Sequence, residues 1–336
     1  MQRPDDSSLT PSQLARIRKE AERALREAGA LGVFPTPVDR IMAVARVVEV
    51  EEDVLNPGFI EKLRAAAGKI GGAVKSAASK ILGLFHASDG LVFLNQSMIA
   101  VKKRFVRLHE TAHGFLPWQR PMYAVVEDCE KSLDGATADL FDREANVFAS
   151  EVLFQLDTFR DMAESSAFEI WTPVNLARRF NASNYASIRQ YVSKNSRACA
   201  VVVLNKPELI EGDGFRASLR RPIQSQKFTE FFGAYPWKDV YTPDDDLGAF
   251  VPLGRQKSSG KRSLVLVDRN GVSHDCVAES FFTGHQVFIL IHAVKTLTVT
   301  RFILPAAAGF DEFRRRQMAF DDLDPNAPCL GWAQSG

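Results

Sequence analysis

Apolar residues recur at helical spacing in the first fifty residues of the chain. Thr10 followed by Pro11 predicts an N-cap with proline at the first helical position, and apolar residues then recur every three or four positions up to Gly29. A second Thr-Pro pair at 36–37 predicts another helix start, followed by a β-branched stretch at 47–50. The pattern therefore predicts two helices and a strand.

The next segment is alanine-rich and regularly basic. Residues 61–82 carry four lysines on a small-residue background, which is typical of a helix that covers a core; binding to a membrane surface is the less favoured alternative. Two short apolar runs then flank Asp89-Gly90, a pair of residues that favours a tight turn. We expect a β-hairpin there, with the strand 91–95 free at an edge to pair with an extended substrate.

The pattern of apolar and polar residues changes near residue 200. Helical periodicity ends there, and apolar runs of strand length follow at 199–205, 262–268, 277–282 and 286–294, two of them joined by an Asp-Arg-Asn-Gly turn; a last helix is predicted at 311–320. We predict an α+β protein with three parts: a mixed helix-and-strand part at 10–165, a helical segment at 166–200, and a β-rich α+β domain at 201–336 with a sensor or interaction role.

Composition and charge limit the classes of partner that the chain is expected to bind. The chain has 42 basic and 41 acidic residues, so its net charge of +1 gives no general attraction to nucleic acids or membranes. Its four cysteines lie far apart in sequence, which argues against a CxxC pair or a cysteine zinc cluster. Without an apolar signal segment or a run long enough to span a bilayer, we expect a cytoplasmic protein with no membrane partner.

The candidate chemistry lies in His109-Glu110-Thr111-Ala112-His113, an HExxH sequence. At helical spacing the second histidine lies about 40° around the axis from the first, so both imidazoles share one face with a carboxylate beside them. Two buried core histidines are the alternative interpretation. We favour metal ligation, with His109 and His113 as ligands.

A catalytic zinc ion needs a third protein ligand, and the helix predicted at 137–156 offers Glu144. Apolar residues flank Glu144 within about 60° on a helical projection, and a carboxylate in that position needs a partner. A buried ion pair with an arginine is the alternative to metal binding. The same projection turns Asp142 and Asp139 toward solvent. Glu151, also on the apolar face, is interpreted as ion-paired or as a support for the ligands.

Three segments together resemble the ImmA/IrrE family of zinc metallopeptidases: KRFVRLHETAHGFL, the preceding strand LVFLN, and the later DREANVFASEVL. The resemblance covers about residues 10–200 and implies a zincin-like metallopeptidase core at 10–165 followed by a helix-turn-helix-like segment at 166–200. It implies that His109, His113 and Glu144 bind one zinc ion per chain and that Glu110 is the general base for the attacking water. Two histidines and a carboxylate also accept manganese or another divalent ion.

The sequence departs from the usual family pattern at three places. Thr111-Ala112 stands where Leu-Gly is common, Asp142 replaces the first Glu of EREAN, and no Met-Pro follows FASEVLFQ. These departures leave all the proposed ligands in place and bear on substrate and activity. Tyr123, which follows the HExxH helix, is a candidate for stabilising the oxyanion.

The resemblance implies a zinc-dependent endopeptidase that cleaves a helix-turn-helix repressor or a similar regulatory protein. Residues 171–200 contain five basic and no acidic residues, which favours a local DNA contact or, more simply, a solvated basic face. Two alternatives remain open: a DNA-binding regulator with a vestigial peptidase core, and a toxin–antitoxin-type interaction protein in which the metal is structural.

Overall fold

The computed structural model describes residues 9–53, 83–128, 133–211 and 214–295, which all lie in one compact unit, Met1–Thr296. Its helices are α1 (Pro11–Glu27), α2 (Val38–Val44), α3 (Ala100–Phe115), α4 (Arg120–Asp128), α5 (Gly135–Leu153), α6 (Thr158–Glu164), α7 (Trp171–Phe180), α8 (Asn184–Ser193) and α9 (Gln226–Phe232). Its strands are β1 (Val48–Asp53), β2 (Gly83–His86), β3 (Leu91–Leu94), β4 (Cys199–Asn205), β5 (Glu208–Ile210), β6 (Gly214–Gln224), β7 (Val240–Tyr241), β8 (Arg262–Val267), β9 (Ser273–Phe282) and β10 (Gln286–Ala293). The α+β class is confirmed.

The two Thr-Pro pairs behave differently. Thr10 caps α1 as predicted: its hydroxyl accepts from the Gln13 amide, and the Gln13 side chain accepts from the Thr10 backbone in return. At the second pair Pro37 is the N-cap of α2, and the Thr36 hydroxyl donates to the carbonyl of Leu153 at 3.2 Å. The Thr36 hydroxyl therefore binds the buried C-terminal end of α5, although the local pattern predicts that it caps α2.

The first sheet has three strands in the order β1-β3-β2. Strands β2 and β3 form the predicted hairpin, and β1 pairs with β3 in parallel. The expectation of a free edge at 91–95 is therefore wrong, because β3 has a partner on each side. Gly90 lies between them at a φ of 68°, where an added Cβ would lie 2.5 Å from the Arg46 carbonyl oxygen.

Helix α3 packs against this sheet on one side and against α5 on the other. Its last turn contains Gly114, whose Cα approaches the sheet so closely that an added Cβ would lie 2.6 Å from Val47 Cγ2. Helix α1 packs on α5 in turn. The two helices that carry the candidate ligands are thus held in the core of the N-terminal half.

The second sheet follows the order β5-β6-β4-β10-β9-β8, with β7 paired to β6. All its pairings are antiparallel, and the Asp268–Gly271 turn joins β8 to β9 as predicted. Helix α8 packs on β4 and β6. The division into parts at 165 and 200 remains a prediction.

Two predicted helices, at 61–82 and 311–320, lie outside the described residues. Within the part of the chain that the structure describes, no helix is long and apolar enough to span a membrane.

Candidate metal centre

His109 and His113 lie one turn apart on α3 with their Nε2 atoms 3.3 Å from each other. His113 is buried and His109 is partly exposed. Each ring uses its other nitrogen on a side-chain amide: His109 Nδ1 lies 3.2 Å from Asn146 Oδ1, and His113 Nδ1 lies 2.7 Å from Gln119 Oε1. Because an amide oxygen only accepts, each Nδ1 is the donor and carries the proton.

While both rings are neutral, the two Nε2 atoms therefore present lone pairs to each other. Such an arrangement is repulsive on its own, and a cation bound by both nitrogens removes the repulsion. The amide partners hold the rings as outer-shell groups commonly hold metal-ligating histidines, with the proton on the nitrogen that faces away from the metal. The donor set thus fits a divalent cation.

A carboxylate oxygen of Asp142, on α5, lies near both Nε2 atoms. Its Oδ1 lies 3.8 Å from His109 Nε2 and 4.0 Å from His113 Nε2. A circle through the three atoms has a radius of roughly 2.2 Å, close to zinc–nitrogen and zinc–oxygen bond lengths of about 2.0–2.2 Å. Among the described residues, these three side chains form the one group with metal-ligand spacing.

Glu144, the third ligand assigned from the sequence, has other partners. Its buried carboxylate accepts from Trp118 Nε1 at 2.7 Å, from Gln119 Nε2 at 2.8 Å and from Arg16 at 3.1 Å. The structure does not bring it into the group with the histidines, and Asp142 is the carboxylate that lies there instead. The apolar face of α5 turns toward the core, whereas the histidines lie at the rim of that face, where Asp142 is half exposed.

Glu144 nevertheless reaches the site through one intermediate. Gln119 donates to the Glu144 carboxylate, and this bond fixes the direction of the Gln119 amide. The amide oxygen then faces His113 Nδ1. The Phe141 carbonyl also accepts from Gln119 Nε2, at 3.3 Å, so Glu144 and this carbonyl together determine which nitrogen of His113 carries the proton.

Glu110 is buried, and its burial raises the pKa of the carboxyl group to about 7. Burial lowers the pKa of His113, with the neighbouring His109 as the second cause. Burial also lowers the pKa of His109, but the hydrogen bond with Asp142 and the charge of Glu110 outweigh it and leave that pKa raised. A carboxyl group that changes protonation near neutrality next to two imidazoles is suited to proton transfer.

Tyr123 packs on the site from α4, the helix that follows the HExxH helix. Its ring centroid lies 5.0 Å from that of His113, and Phe85 and Phe141 flank it. Burial raises the pKa of its hydroxyl, so the group stays protonated and can donate a hydrogen bond.

The comparisons with known proteins bear on the same helices. Residues 74–186 match the family model Peptidase_M78, described as the IrrE N-terminal-like domain. The chain contains an ImmA/IrrE-family domain. This domain is metallopeptidase-like, and the match covers the HExxH helix and α5.

A search of curated proteins gave no significant match to this chain. Eleven solved chains match it in structure. One is a Mycobacterium tuberculosis transcriptional regulator, with 12% sequence identity and a TM-score of 0.45 over 86% of this chain and 93% of that chain.

Three of the five basic residues in 171–200 have partners within the fold. Lys194 pairs with Glu151 at 2.9 Å, Arg179 lies over the Phe34 ring, and Arg197 lies over the Phe168 ring. Helix α8, the second helix of the predicted helix-turn-helix, packs on the second sheet. These partners of the cations favour the simpler interpretation as packing helices, and a DNA contact by 171–200 remains a prediction.

Three site residues were missed by sequence reasoning. Asp142 and Asn146 lie four residues apart on α5, and that spacing puts both on the face toward the histidines. This signal was present in the sequence. Gln119 follows α3 without any local pattern, and only the tertiary fold brings it to His113.

Proposed function

We propose that the chain is a metal-dependent endopeptidase in which His109, His113 and Asp142 hold one divalent cation, preferably zinc. The supporting observation is the convergence of two imidazole Nε2 atoms and one carboxylate oxygen beside a buried glutamate. Three protein ligands leave a position for water or substrate, as in catalytic zinc sites.

When bound, the cation supplies Lewis acidity toward a substrate carbonyl and makes water more acidic. Glu110, buried beside the ligands, accepts the proton of the attacking water and returns it to the leaving amine. Asn146 and Gln119 keep the two imidazoles in the orientation that directs Nε2 toward the cation. Tyr123 donates from its hydroxyl to the oxyanion that forms on the carbonyl oxygen.

For the substrate we propose a regulatory protein, with a helix-turn-helix repressor as the first candidate, and for the location the cytoplasm. The ImmA/IrrE domain supports the peptidase class, and the half-exposed Asp142 supports access of a macromolecular substrate to the site. Residues 201–336 are the proposed regulatory part.

Metal content per chain, measured by mass spectrometry after purification without chelators, tests the site. Wild type and Glu110→Gln are expected to hold about one zinc ion, and Asp142→Ala to lose most of it. Asp139→Ala is the matched control, because Asp139 lies on the same helix and is exposed. Asp142→His restores a third ligand and is expected to retain the metal. Full zinc in Asp142→Ala together with none in Glu144→Ala would return the third-ligand role to Glu144.

Cleavage of candidate repressors then tests the activity. We expect wild type to cleave and Glu110→Gln, which still holds zinc, not to cleave. Metal binding without any cleavage that depends on Glu110 would support the alternative of an interaction or DNA-binding protein with a structural metal.

A further inference from the structure

A cavity of about 640 Å³ lies between the helical segment and the second sheet, and the proposed peptidase chemistry does not use it. One wall is a face of α7, another is the loop 254–257, and the floor is the end of β9 with the turn that follows. Its volume falls within the range of about 300–1,000 Å³ that small-molecule sites occupy.

The inner wall of the cavity is aromatic. Trp171, Phe281 and Phe282 line it, and the rings of Trp171 and Phe281 meet edge to face at a centroid distance of 5.0 Å. Trp171 is 37% exposed, which is unusual for so large an apolar side chain. The exposed part of the Trp171 ring offers a surface on which a planar ring can stack.

The rim of the cavity is cationic. Arg178, Arg255 and Lys257 line it, all three are exposed, and no lining residue is acidic. The chain as a whole has nearly equal numbers of acids and bases, so three cations without a lining carboxylate are a local feature. Asn184, the first residue of the ten-residue helix α8, also lines the cavity, and the amide groups at this end add partial positive charge.

The walls are fixed before any ligand arrives. The Phe282 amide donates to the Lys257 carbonyl at 2.8 Å, which ties the cationic loop to β9. One step further, Ser259 and Ser280 exchange hydrogen bonds between backbone amides and side-chain hydroxyls at 3.2 and 3.0 Å. A preformed site loses less entropy on binding than a mobile one.

We propose that this cavity binds a mononucleotide-type ligand, a planar aromatic ring joined to a phosphate. The ring stacks on Trp171, and the phosphate lies among Arg178, Arg255 and Lys257. A bare anion would leave the aromatic wall unused, and a neutral ring would leave the three cations unused. The inference rests on the cavity alone and is independent of the metal centre.

Binding to the full-length chain by isothermal titration calorimetry tests the proposal, with AMP, adenosine and inorganic phosphate as separate probes at one salt concentration. We expect one AMP per chain, with adenosine and phosphate each binding at least about tenfold more weakly. GMP, CMP and UMP are titrated in the same way. Failure of all four nucleotides to saturate the chain below about 1 mM would overturn the proposal.

Variants locate the binding. Arg255→Ala and Arg178→Ala are each expected to weaken AMP binding by about tenfold or more, and Trp171→Ala to weaken AMP without changing the weak phosphate binding. Arg216→Ala is the matched control, because Arg216 is an exposed cation on β6 outside the cavity. An equal loss in Arg216→Ala would mean general charge attraction and would overturn the assignment. A short single-stranded oligonucleotide that binds more tightly than AMP through the same arginines would also overturn it in favour of a nucleic-acid contact.

Discussion

Replacing Glu144 by glutamine tests whether a carboxylate outside the ligand group controls metal binding. The substitution keeps the shape of the side chain and exchanges one acceptor oxygen for a donor NH₂ group. In the native chain both oxygens accept, from Arg16 on one side and from Trp118 and Gln119 on the other. If the new NH₂ faces Gln119, the Gln119 amide has to turn over and present its own NH₂ to His113 Nδ1.

That reversal moves the proton of His113 to Nε2, the nitrogen that is needed for the metal. Changes in such outer-shell partners typically weaken metal affinity by about 10–100-fold, equivalent to about 1.4–2.7 kcal/mol. The substitution should also lower the free energy of unfolding. The Arg16 side chain is half exposed, so its ion pair contributes little. The disturbed buried hydrogen bonds from Trp118 and Gln119 should cost about 2–3 kcal/mol.

Competition with a chromophoric chelator measures zinc affinity, urea unfolding of the metal-free chain measures stability, and ¹⁵N NMR of the histidine rings reports the tautomer. Glu151→Gln is the control, because Glu151 is a buried, ion-paired carboxylate on the same helix whose bonds go to Arg18 and Lys194. We expect it to lose stability but to keep its zinc affinity and the Nδ1–H tautomer of His113. Unchanged affinity in Glu144→Gln although the His113 proton has moved to Nε2, or an equal loss in both variants, would refute the relay through Gln119.

Three further predictions concern the fold. Thr10→Ala removes the side chain that caps α1 and should lower the free energy of unfolding by about 1 kcal/mol in urea, and an unchanged midpoint would mean that the cap contributes nothing. Gly114→Ala forces a methyl group against Val47 at 2.6 Å and should lower the stability by about 1–3 kcal/mol, visible as a lower thermal midpoint; a midpoint equal to that of wild type would contradict the close packing of α3 on the sheet. Burial raises the pKa of Glu279, which accepts from the Ile170 amide, above its usual 4.5, so its contribution to stability is lost as the pH rises through the raised value. Glu279→Gln should therefore be more stable than wild type at pH 8 and gain nothing below pH 4.5, and a gain independent of pH in denaturant titrations would contradict this cause.

The local features of this fold were predictable from the sequence, because their causes are local. The cap at Thr10 and the turns at Asp89-Gly90 and Asp268–Gly271 each depend on residues within four positions of one another. The pairing of His109 with His113 follows from the helical repeat alone.

The third ligand was not predictable in the same way. A helical projection identifies the face of α5 that turns to the core, but the rotation of α5 relative to α3 decides which side chain reaches the histidines. That rotation depends on packing between helices, and it selects Asp142 at the rim over Glu144 in the core. The central place of β3 likewise depends on β1, about forty residues earlier in the chain.

The contact between Arg16 and Glu144 joins residues 128 positions apart. During synthesis the arginine leaves the ribosome long before the glutamate exists, and α1, with little of the core yet made to pack against, has no stable partner in that interval. Once α5 is complete, its carboxylate can be desolvated with the guanidinium already at hand, instead of being buried as an isolated charge. We expect α1 to dock late. The orientation of His113 then becomes fixed only after α1, which is synthesised first, has packed on α5, which is synthesised much later.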